Sequence, residues 1–326
     1  MSYPSIDITG LGSVGPCGAV SGPLGGPVPA PSVVAAWPTA GPRYALPAAP
    51  CRFAEVLPKV GTRRLDRLSV WSLAAAALAL RDAGLDLPAA DGSLTAVVSA
   101  TGFGCLDLTE AFLSSAHGHG WRETDPICFP ETLGNVPAAH VARVFGCLGP
   151  NITVGSRGLA AETAVLVAVS LLRAGQAARA LVLAGDTLTR GLFDWYEVAG
   201  RLSADPHGFV PSEGVAAMVL EAPGRYRARA TVLRARWVHP DGAEPLLWDA
   251  AAVTLVCKSQ TVPVAFPTPV RLAPACPIAD GLADTGGLFR ILTALGSAPP
   301  GARLLVLGAA HSGSCAAVVL EASAHD

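Results

Sequence analysis

The segment 149–186 constrains the fold of this chain more than any other part of its sequence. Residues 152–154 are predicted to form a strand, and residues 158–174 a helix that is apolar almost all the way round, as in the centre of a fold. Residues 180–184 follow as a strand without polar side chains, which indicates a sheet covered on both faces. A turn between a strand and a buried helix is a usual place for a nucleophile. Here that turn offers Gly158.

Strands and helices alternate along the rest of the chain, and this alternation predicts an α/β fold. The clearest helix covers 63–84, where apolar residues recur at helical spacing and Gly84 ends the pattern. The other predicted strands are 6–9, 94–100, 214–221, 254–257, 304–307 and 316–320, and the other predicted helices are 108–116, 135–145 and 287–295. Residues 16–50 are predicted to be irregular. Because no linker interrupts the chain, we expect one domain over 1–326, with halves of roughly 1–222 and 223–326.

The composition limits the partners that this chain is expected to have. It is 51% hydrophobic and 15% charged, with a net charge of −2 and no basic run, which argues against nucleic acid and anionic membrane surfaces. Such a low charge suggests that part of the surface is covered by a partner. The longest apolar stretch, 158–172, contains Glu162 and is too short to span a bilayer. We therefore expect a cytoplasmic protein.

Several local patterns have a simple explanation. The glycines at 10, 12 and 15 match a dinucleotide-binding turn, but Pro16 follows and no acidic residue lies about 20 positions on, so a glycine turn after the first strand is predicted instead. His117 and His119 lack a third metal ligand and are predicted to lie in a flexible loop. Ser314 lacks the strand-to-helix setting of a hydrolase nucleophile. We expect no cofactor and no metal.

Glu162 and the cysteines are the remaining candidates for chemistry. A carboxylate on an apolar helix needs a partner or a raised pKa, so Glu162 is either a catalytic group or a contact to a polar partner across an interface. None of the eight cysteines forms a C-x-x-C pair, and they are predicted to be buried thiols.

Taken together, these segments resemble the β-ketoacyl synthases over nearly the whole chain. The strongest match is 208–221, Gly-Phe-Val-Pro-Ser-Glu-Gly-Val-Ala-Ala-Met-Val-Leu-Glu, in which many specific positions agree in order. Further matches are 8–18, 63–68, 74–85, 149–154, 184–186 (Ala-Gly-Asp where the family has Ala-Gly-Gly) and 308–320. The resemblance implies a thiolase-like fold with two similar halves in five layers, α-β-α-β-α, that is normally dimeric.

The catalytic residues of that family are missing here. Its cysteine follows the glycine of the Gly-Pro pair by nine residues and precedes the glycine of the Arg-Ala-Gly segment by seventeen, and both counts end on Gly158. The first catalytic histidine would belong to a turn whose nearest counterpart is Cys257-Lys-Ser-Gln-Thr261, and Leu282 replaces the second. The resemblance therefore implies no catalytic residue in this chain, because neither acyl-thioester formation nor decarboxylation has its groups.

A ketosynthase without catalytic residues resembles the chain length factor of type II polyketide synthases. This resemblance implies a heterodimer with an active ketosynthase, an acyl carrier protein that reaches the complex, and a growing acyl chain in a tunnel at the interface. The dimer would form through Asn151, Ile152, Thr153 and Val154. The residues that would close the tunnel are Cys105, Leu106, Thr109, Phe112, Phe129 and Leu133. The short segment 221–281 suggests a trimmed active-site cap, as in polyene-forming systems.

Two other functions stay open at this stage. One is a free-standing homodimeric decarboxylase or acyltransferase of thiolase fold that uses Glu162, Ser156 or Cys257. The other is a binding or scaffold protein outside polyketide synthesis.

Overall fold

The computed structural model describes most of the chain. The described residues are 5–33, 43–57, 60–85, 94–155, 158–205, 209–224, 226–238, 253–257, 271–272, 276–282, 285–309 and 315–323.

The strands and helices alternate as the sequence predicts. The strands are β1 Ile6–Gly15, β2 Gly18–Ser21, β3 Ser32–Val33, β4 Tyr44–Ala45, β5 Thr95–Ala100, β6 Asn151–Val154, β7 Arg179–Asp186, β8 Gly214–Glu221, β9 Ala230–Val238, β10 Val253–Cys257, β11 Arg271–Leu272, β12 Arg303–Ala309 and β13 Cys315–Ala322. The helices are α1 Phe53–Val56, α2 Arg67–Asp82, α3 Leu106–His119, α4 Val136–Phe145, α5 Ala160–Arg173, α6 Arg190–Val198, α7 Pro277–Gly281 and α8 Gly287–Ser297. Two 3₁₀ turns, Trp121–Glu123 and Phe129–Thr132, lie between α3 and α4.

The two halves of the chain have the same strand order and the same strand directions. In the first half the order is β6-β5-β7-β8-β1, with β5, β6 and β7 parallel and β8 antiparallel to β7 and β1. In the second half it is β11-β10-β12-β13-β9, where β13 is the antiparallel strand. β1 and β9 pair over Ile6–Ile8 and join the halves into one sheet. The predicted thiolase-like fold with two similar halves is confirmed.

The central helices lie between the two half-sheets. α5 contacts β5, β6 and β7 of the first half as well as β9 and β13 of the second, and α8 contacts strands of both halves too. α2 and α4 cover the opposite face of the first half-sheet. Four layers are therefore seen in the part of the chain that the structure describes. The helix predicted over 158–174 holds the central position expected of it, although it begins at Ala160.

Two glycines of β1 allow α2 to lie directly on the sheet. A Cβ at Gly10 would come within 2.8 Å of the Ala83 Cβ, and one at Gly12 within 2.6 Å of the Ala75 carbonyl oxygen, which is closer than real atoms approach. The turn predicted after the first strand is wrong, because β1 continues to Gly15 with every residue buried. The glycine pattern serves close packing between a helix and a strand.

Other predictions about local structure also need correction. α3 continues to His119, so that His117 and His119 are exposed residues of its last turn and not part of a loop. The predicted irregular segment contains β2, which forms a hairpin with β1, as well as β3 and β4.

The cysteines are less uniformly buried than predicted. Cys105, Cys147, Cys276 and Cys315 are buried, but Cys17, Cys51 and Cys128 are partly exposed, and the Cys257 side chain lies outside the description. None of the described helices is long and apolar enough to cross a bilayer.

Candidate functional site

The turn between β6 and α5 presents a glycine where the resemblance places the nucleophile. Gly158 has a φ of +80°, a left-handed conformation that glycine adopts without the strain of a Cβ. α5 begins two residues later at Ala160, and its N-cap residue is Leu159. Gly158 and Leu159 have no nucleophilic side chain, and Ser156 lies outside the described residues.

Leu282, at the predicted position of the second histidine, is a core residue. It ends α7 and is 3% exposed, in the same hydrophobic cluster as Leu159, Ile278 and Leu288. An apolar side chain there has no group to polarise a carbonyl. The predicted first-histidine turn, 258–261, lies outside the described residues, as does the side chain of Cys257.

Glu162 has its partner within the same chain. Its Oε1 accepts a hydrogen bond of 2.9 Å from Arg290 Nη2, and both side chains are almost completely buried between α5 and α8. Its carboxylate lies against Gly287 and Gly308, where a Cβ would come within 2.5 and 2.6 Å of it. The expectation that Glu162 meets a polar partner across an interface is therefore wrong. A role in catalysis also loses its support, because the carboxylate is engaged in a buried ion pair.

Five of the six predicted gating residues lie together between α3 and the 3₁₀ turn Phe129–Thr132. Cys105, the N-cap residue of α3, has its Sγ 3.5 Å from the Leu133 carbonyl oxygen. Thr109 donates a hydrogen bond to the Cys105 carbonyl at 2.7 Å, and the rings of Phe112 and Phe129 lie 5.7 Å apart. We call these five residues the wall cluster.

Leu106 does not belong to the wall cluster. It packs instead against a separate group of buried residues that includes Leu188 and Phe193, below α6. On the same side of α3, Glu110 binds the start of α6, where it accepts hydrogen bonds from Thr189 Oγ1 and from the Gly191 N–H. One side of α3 is thus anchored to the body of the protein, and another faces the 3₁₀ turn.

Asp66 fixes the beginnings of α2 and α3 at once. Its Oδ1 accepts from the Leu68 N–H at 2.8 Å, and its Oδ2 from the Leu108 N–H at 3.0 Å. Burial raises the pKa of this carboxyl group, and the two backbone hydrogen bonds partly oppose that rise. The next residue, Arg67, pairs with Glu213 at 3.0 Å, which places the best-matched sequence segment beneath the start of α2.

Asp186 is a site residue that the sequence analysis did not single out. Its carboxyl group is buried at the end of β7 and accepts hydrogen bonds from Thr101 Oγ1 (2.6 Å), the Gly102 N–H (3.0 Å), the Phe103 N–H (3.0 Å) and Thr285 Oγ1 (2.9 Å). We call this set the Asp186 network. Burial raises the pKa of Asp186 to about 6, against the lowering effect of its donors. The aspartate in Ala-Gly-Asp, where the family has a glycine, was the signal available in the sequence.

The predicted dimer residues form one end of the sheet. β6 pairs with β5 alone among the described strands, and its side chains are half-buried or exposed. The Val97 N–H donates to the Pro150 carbonyl and the Thr101 N–H to the Val154 carbonyl. In a parallel ladder the alternate residues Asn151 and Thr153 therefore direct their backbone groups away from β5.

Large apolar side chains are exposed around the wall cluster. Trp121 is 66% exposed, and Phe129 and Leu133 are 53% and 46% exposed. Trp121 also contacts the Phe112 ring, at 6.3 Å between centroids, so the exposed residues continue into the wall cluster. We call Leu113, Trp121, Ile127, Phe129 and Leu133 the apolar patch. A group of large exposed apolar side chains in one part of the chain is typical of a site of interaction.

Comparisons with known proteins agree with this fold. The chain is 28% identical over 199 residues to 3-oxoacyl-[acyl-carrier-protein] synthase 2 of Vibrio harveyi, a match that covers 56% of this chain and 48% of that protein. The chain thus spans about half the length of the curated relatives it matches.

Two similar solved structures cover almost the whole chain. The ishigamide ketosynthase/chain length factor has a TM-score of 0.72 at 20% identity, covering 98% of this chain and 100% of its own. AntDE:AntF, a type II polyketide synthase acyl-carrier protein in complex with its ketosynthase, has a TM-score of 0.76 at 15% identity, with 98% and 99% covered. At these identities the similarity concerns the fold.

The family model for the N-terminal domain of β-ketoacyl synthases matches residues 46–223. This range begins directly after β4 and ends two residues after β8. This range covers more than half of the chain and contains β6, Gly158, α5, Asp186 and the segment 208–221. The chain therefore belongs to the β-ketoacyl synthase family.

Proposed function

We propose that this protein is a non-catalytic chain length factor. It would pair with an active ketosynthase, complete the tunnel that holds the growing acyl chain, and set the length of a polyketide or polyene product. The observation that carries the proposal is Gly158, which stands in a left-handed turn at the nucleophile position while β6 and α5 on either side of it are intact. Leu282 supports it, because an apolar core residue stands where the family resemblance predicts a catalytic histidine.

The surface of the chain supports a heterodimer. Asn151 and Thr153 of β6 direct their backbone groups away from β5 and pair with no other described strand, and a partner strand added there would extend the sheet into a second chain. The apolar patch and the wall cluster belong to α3 with its N-cap residue and to the segment between α3 and α4, and α4 packs against β6. In this arrangement the partner supplies the cysteine and the histidines, and the wall cluster closes the tunnel. The acyl carrier protein would deliver substrates to the complex, in the cytoplasm.

Co-expression with a type II ketosynthase that has the catalytic cysteine and both histidines tests the proposal. We expect a one-to-one complex that extends malonyl thioesters, and no turnover by this chain alone. Gly158→Cys in this chain should leave it inactive alone, because a cysteine without histidines has no base and no carbonyl-polarising group. As the matched control, replacement of the partner's nucleophile should abolish turnover by the complex.

The opposite result would identify the alternative function. A stable homodimer that consumes malonyl thioesters unaided would overturn the proposal in favour of a free-standing acyltransferase or decarboxylase.

A further inference from the structure

We propose that Asp186 is the positioning residue of the tunnel wall. Its carboxyl group holds the turn 101–104, and through that turn it fixes the start of α3 against the 3₁₀ turn Phe129–Thr132. The inference rests on the proposed function for what the wall does. The positioning itself is a property of this chain and can be measured without activity.

The first step runs from Asp186 to the turn. Thr101 Oγ1, the Gly102 N–H and the Phe103 N–H all donate to the same carboxyl group, and Thr101 Oγ1 in turn accepts from the Gly104 N–H at 2.8 Å. One buried side chain therefore accepts from three consecutive residues, and through the Thr101 hydroxyl group it also supports the Gly104 N–H. Loss of these bonds would leave buried polar groups unpaired, which disfavours the present shape of the turn.

The second step runs from the turn to the wall cluster. Gly104 has a φ of +74°, and a Cβ on it would come within 3.2 Å of the Gly134 Cα, so the turn and the segment before α4 are already in close contact. Cys105 follows at once and meets Leu133. A shift of the turn would therefore displace the wall cluster.

The third step links the wall cluster to Leu282, at the predicted position of the second histidine. Thr285 donates to Asp186 Oδ2, and its N–H donates to the Leu282 carbonyl at 3.0 Å. The same carboxyl group thus joins the turn before α8, which carries Leu282, to the turn before α3. The two connections span 85 and 99 residues of sequence.

An amide can replace the carboxyl group in this network. Oδ1 accepts from Thr101, Gly102 and Phe103, whereas Oδ2 accepts from the Thr285 hydroxyl group, which can also accept, and from the Gly102 N–H, which can keep its bond to Oδ1. The shape of the acceptor and the presence of the Thr101 hydroxyl are therefore what the network requires. Asp186→Asn is accordingly a conservative variant, and Thr101→Val a disruptive one.

The labelling rate of Cys105 by N-ethylmaleimide, located by peptide mass spectrometry in the ketosynthase complex, tests the inference. Cys105 is 1% exposed and burial raises its thiol pKa to about 12, so it should react only when the start of α3 opens. Thr101→Val should increase its labelling by about tenfold or more, from the loss of hydrogen bonds to a buried carboxyl group. Thr101→Ser and Asp186→Asn should label like the native chain, and buried Cys147, in the separate cluster beneath α2, should be unchanged in all variants.

The distribution of product lengths distinguishes a positioning role of Asp186 from a role in stability alone. Thr101→Val should broaden the distribution of product lengths, whereas Thr101→Ser should restore the native length. Unchanged Cys105 labelling in folded Thr101→Val would overturn the inference. If the native chain fails to bind the ketosynthase, the proposed function is wrong, and labelling of the chain alone still decides on Asp186.

A measurement on the native chain covers the case in which Thr101→Val does not fold. The amides of Gly102, Phe103 and Gly104 should exchange with deuterium as slowly as those of β7, although they lie in a turn. Exchange as fast as in the exposed segment after α6 would overturn the inference.

Discussion

At the scale of single residues, buried charges define what this chain can and cannot do. Glu162, Asp186 and Asp66 are almost fully buried, and each is committed to partners of the same chain. Such commitment accounts for carboxylates in an apolar core without a catalytic role. The contribution of each carboxylate can therefore be measured as the change in the free energy of unfolding when the residue is replaced.

Glu162→Ala should destabilise the protein by about 3–5 kcal/mol, because Arg290 would remain charged and buried with only the more distant Asp280 carboxylate, at 3.9 Å, beside it. Glu162→Leu combined with Arg290→Met should recover much of this loss, since the buried pair is removed and Asp280 is partly exposed. Urea denaturation of the three proteins measures the effect. A stable Glu162→Ala protein with reduced product formation would instead indicate a catalytic role.

The titration of Asp186 should appear in the pH dependence of stability. Its pKa rises from 3.8 to about 6 on folding, so the folded protein binds this proton more tightly than the unfolded chain does. The corresponding stabilisation is present below about pH 4 and is lost as the pH rises through about 6, in total about 3 kcal/mol. Asp186→Asn does not titrate and should gain stability relative to the native chain over this interval. Denaturation at several pH values checks this, and a difference that does not vary with pH would contradict it.

At the scale of elements, α3 is the part whose position matters most for the proposed function. It is held by Asp66 at its start and by Glu110 on one side, and it presents the wall cluster on another. Rigid support on two sides suits an element that determines how far an acyl chain can extend.

Phe112→Ala and Phe129→Ala should each lengthen the product of the complex, because removal of either ring opens space for further two-carbon units. Product mass spectrometry of the reconstituted complex measures the change. Phe53→Ala is the matched control, since this aromatic residue of α1 packs in the other cluster beneath α2. Native product length in both ring variants, with the complex intact, would remove these residues as gates.

The edge strand β6 allows a test of pairing by its backbone alone. Thr153→Pro removes an N–H that points away from β5, so the fold should persist while binding of the ketosynthase weakens. Thr153→Val is the control, because it keeps the backbone donor. Co-purification and thermal unfolding together separate loss of pairing from loss of folding. Equal binding by both variants would place the interface elsewhere.

At the scale of the whole molecule, the sequence predicts the layers better than the contacts between them. The apolar runs of α5, β7 and β8 are visible in the sequence because burial on all sides leaves few polar positions in them, such as Glu162 in α5 and Asp186 at the end of β7. β1 was predicted too short, since glycines that allow a helix to pack closely look the same as glycines that form a turn. The Asp186 network was missed because its members are far apart in sequence and meet only through the fold.

The repeated strand order has a consequence for how large an assembly can grow. Both halves of the chain lie in one sheet, and the first half ends in β6, which pairs with β5 alone among the described strands. If a partner chain adds the corresponding strand to β6 across a two-fold axis, each chain uses the same edge, and that edge is consumed when one partner binds. We therefore expect growth through β6 to stop at two chains.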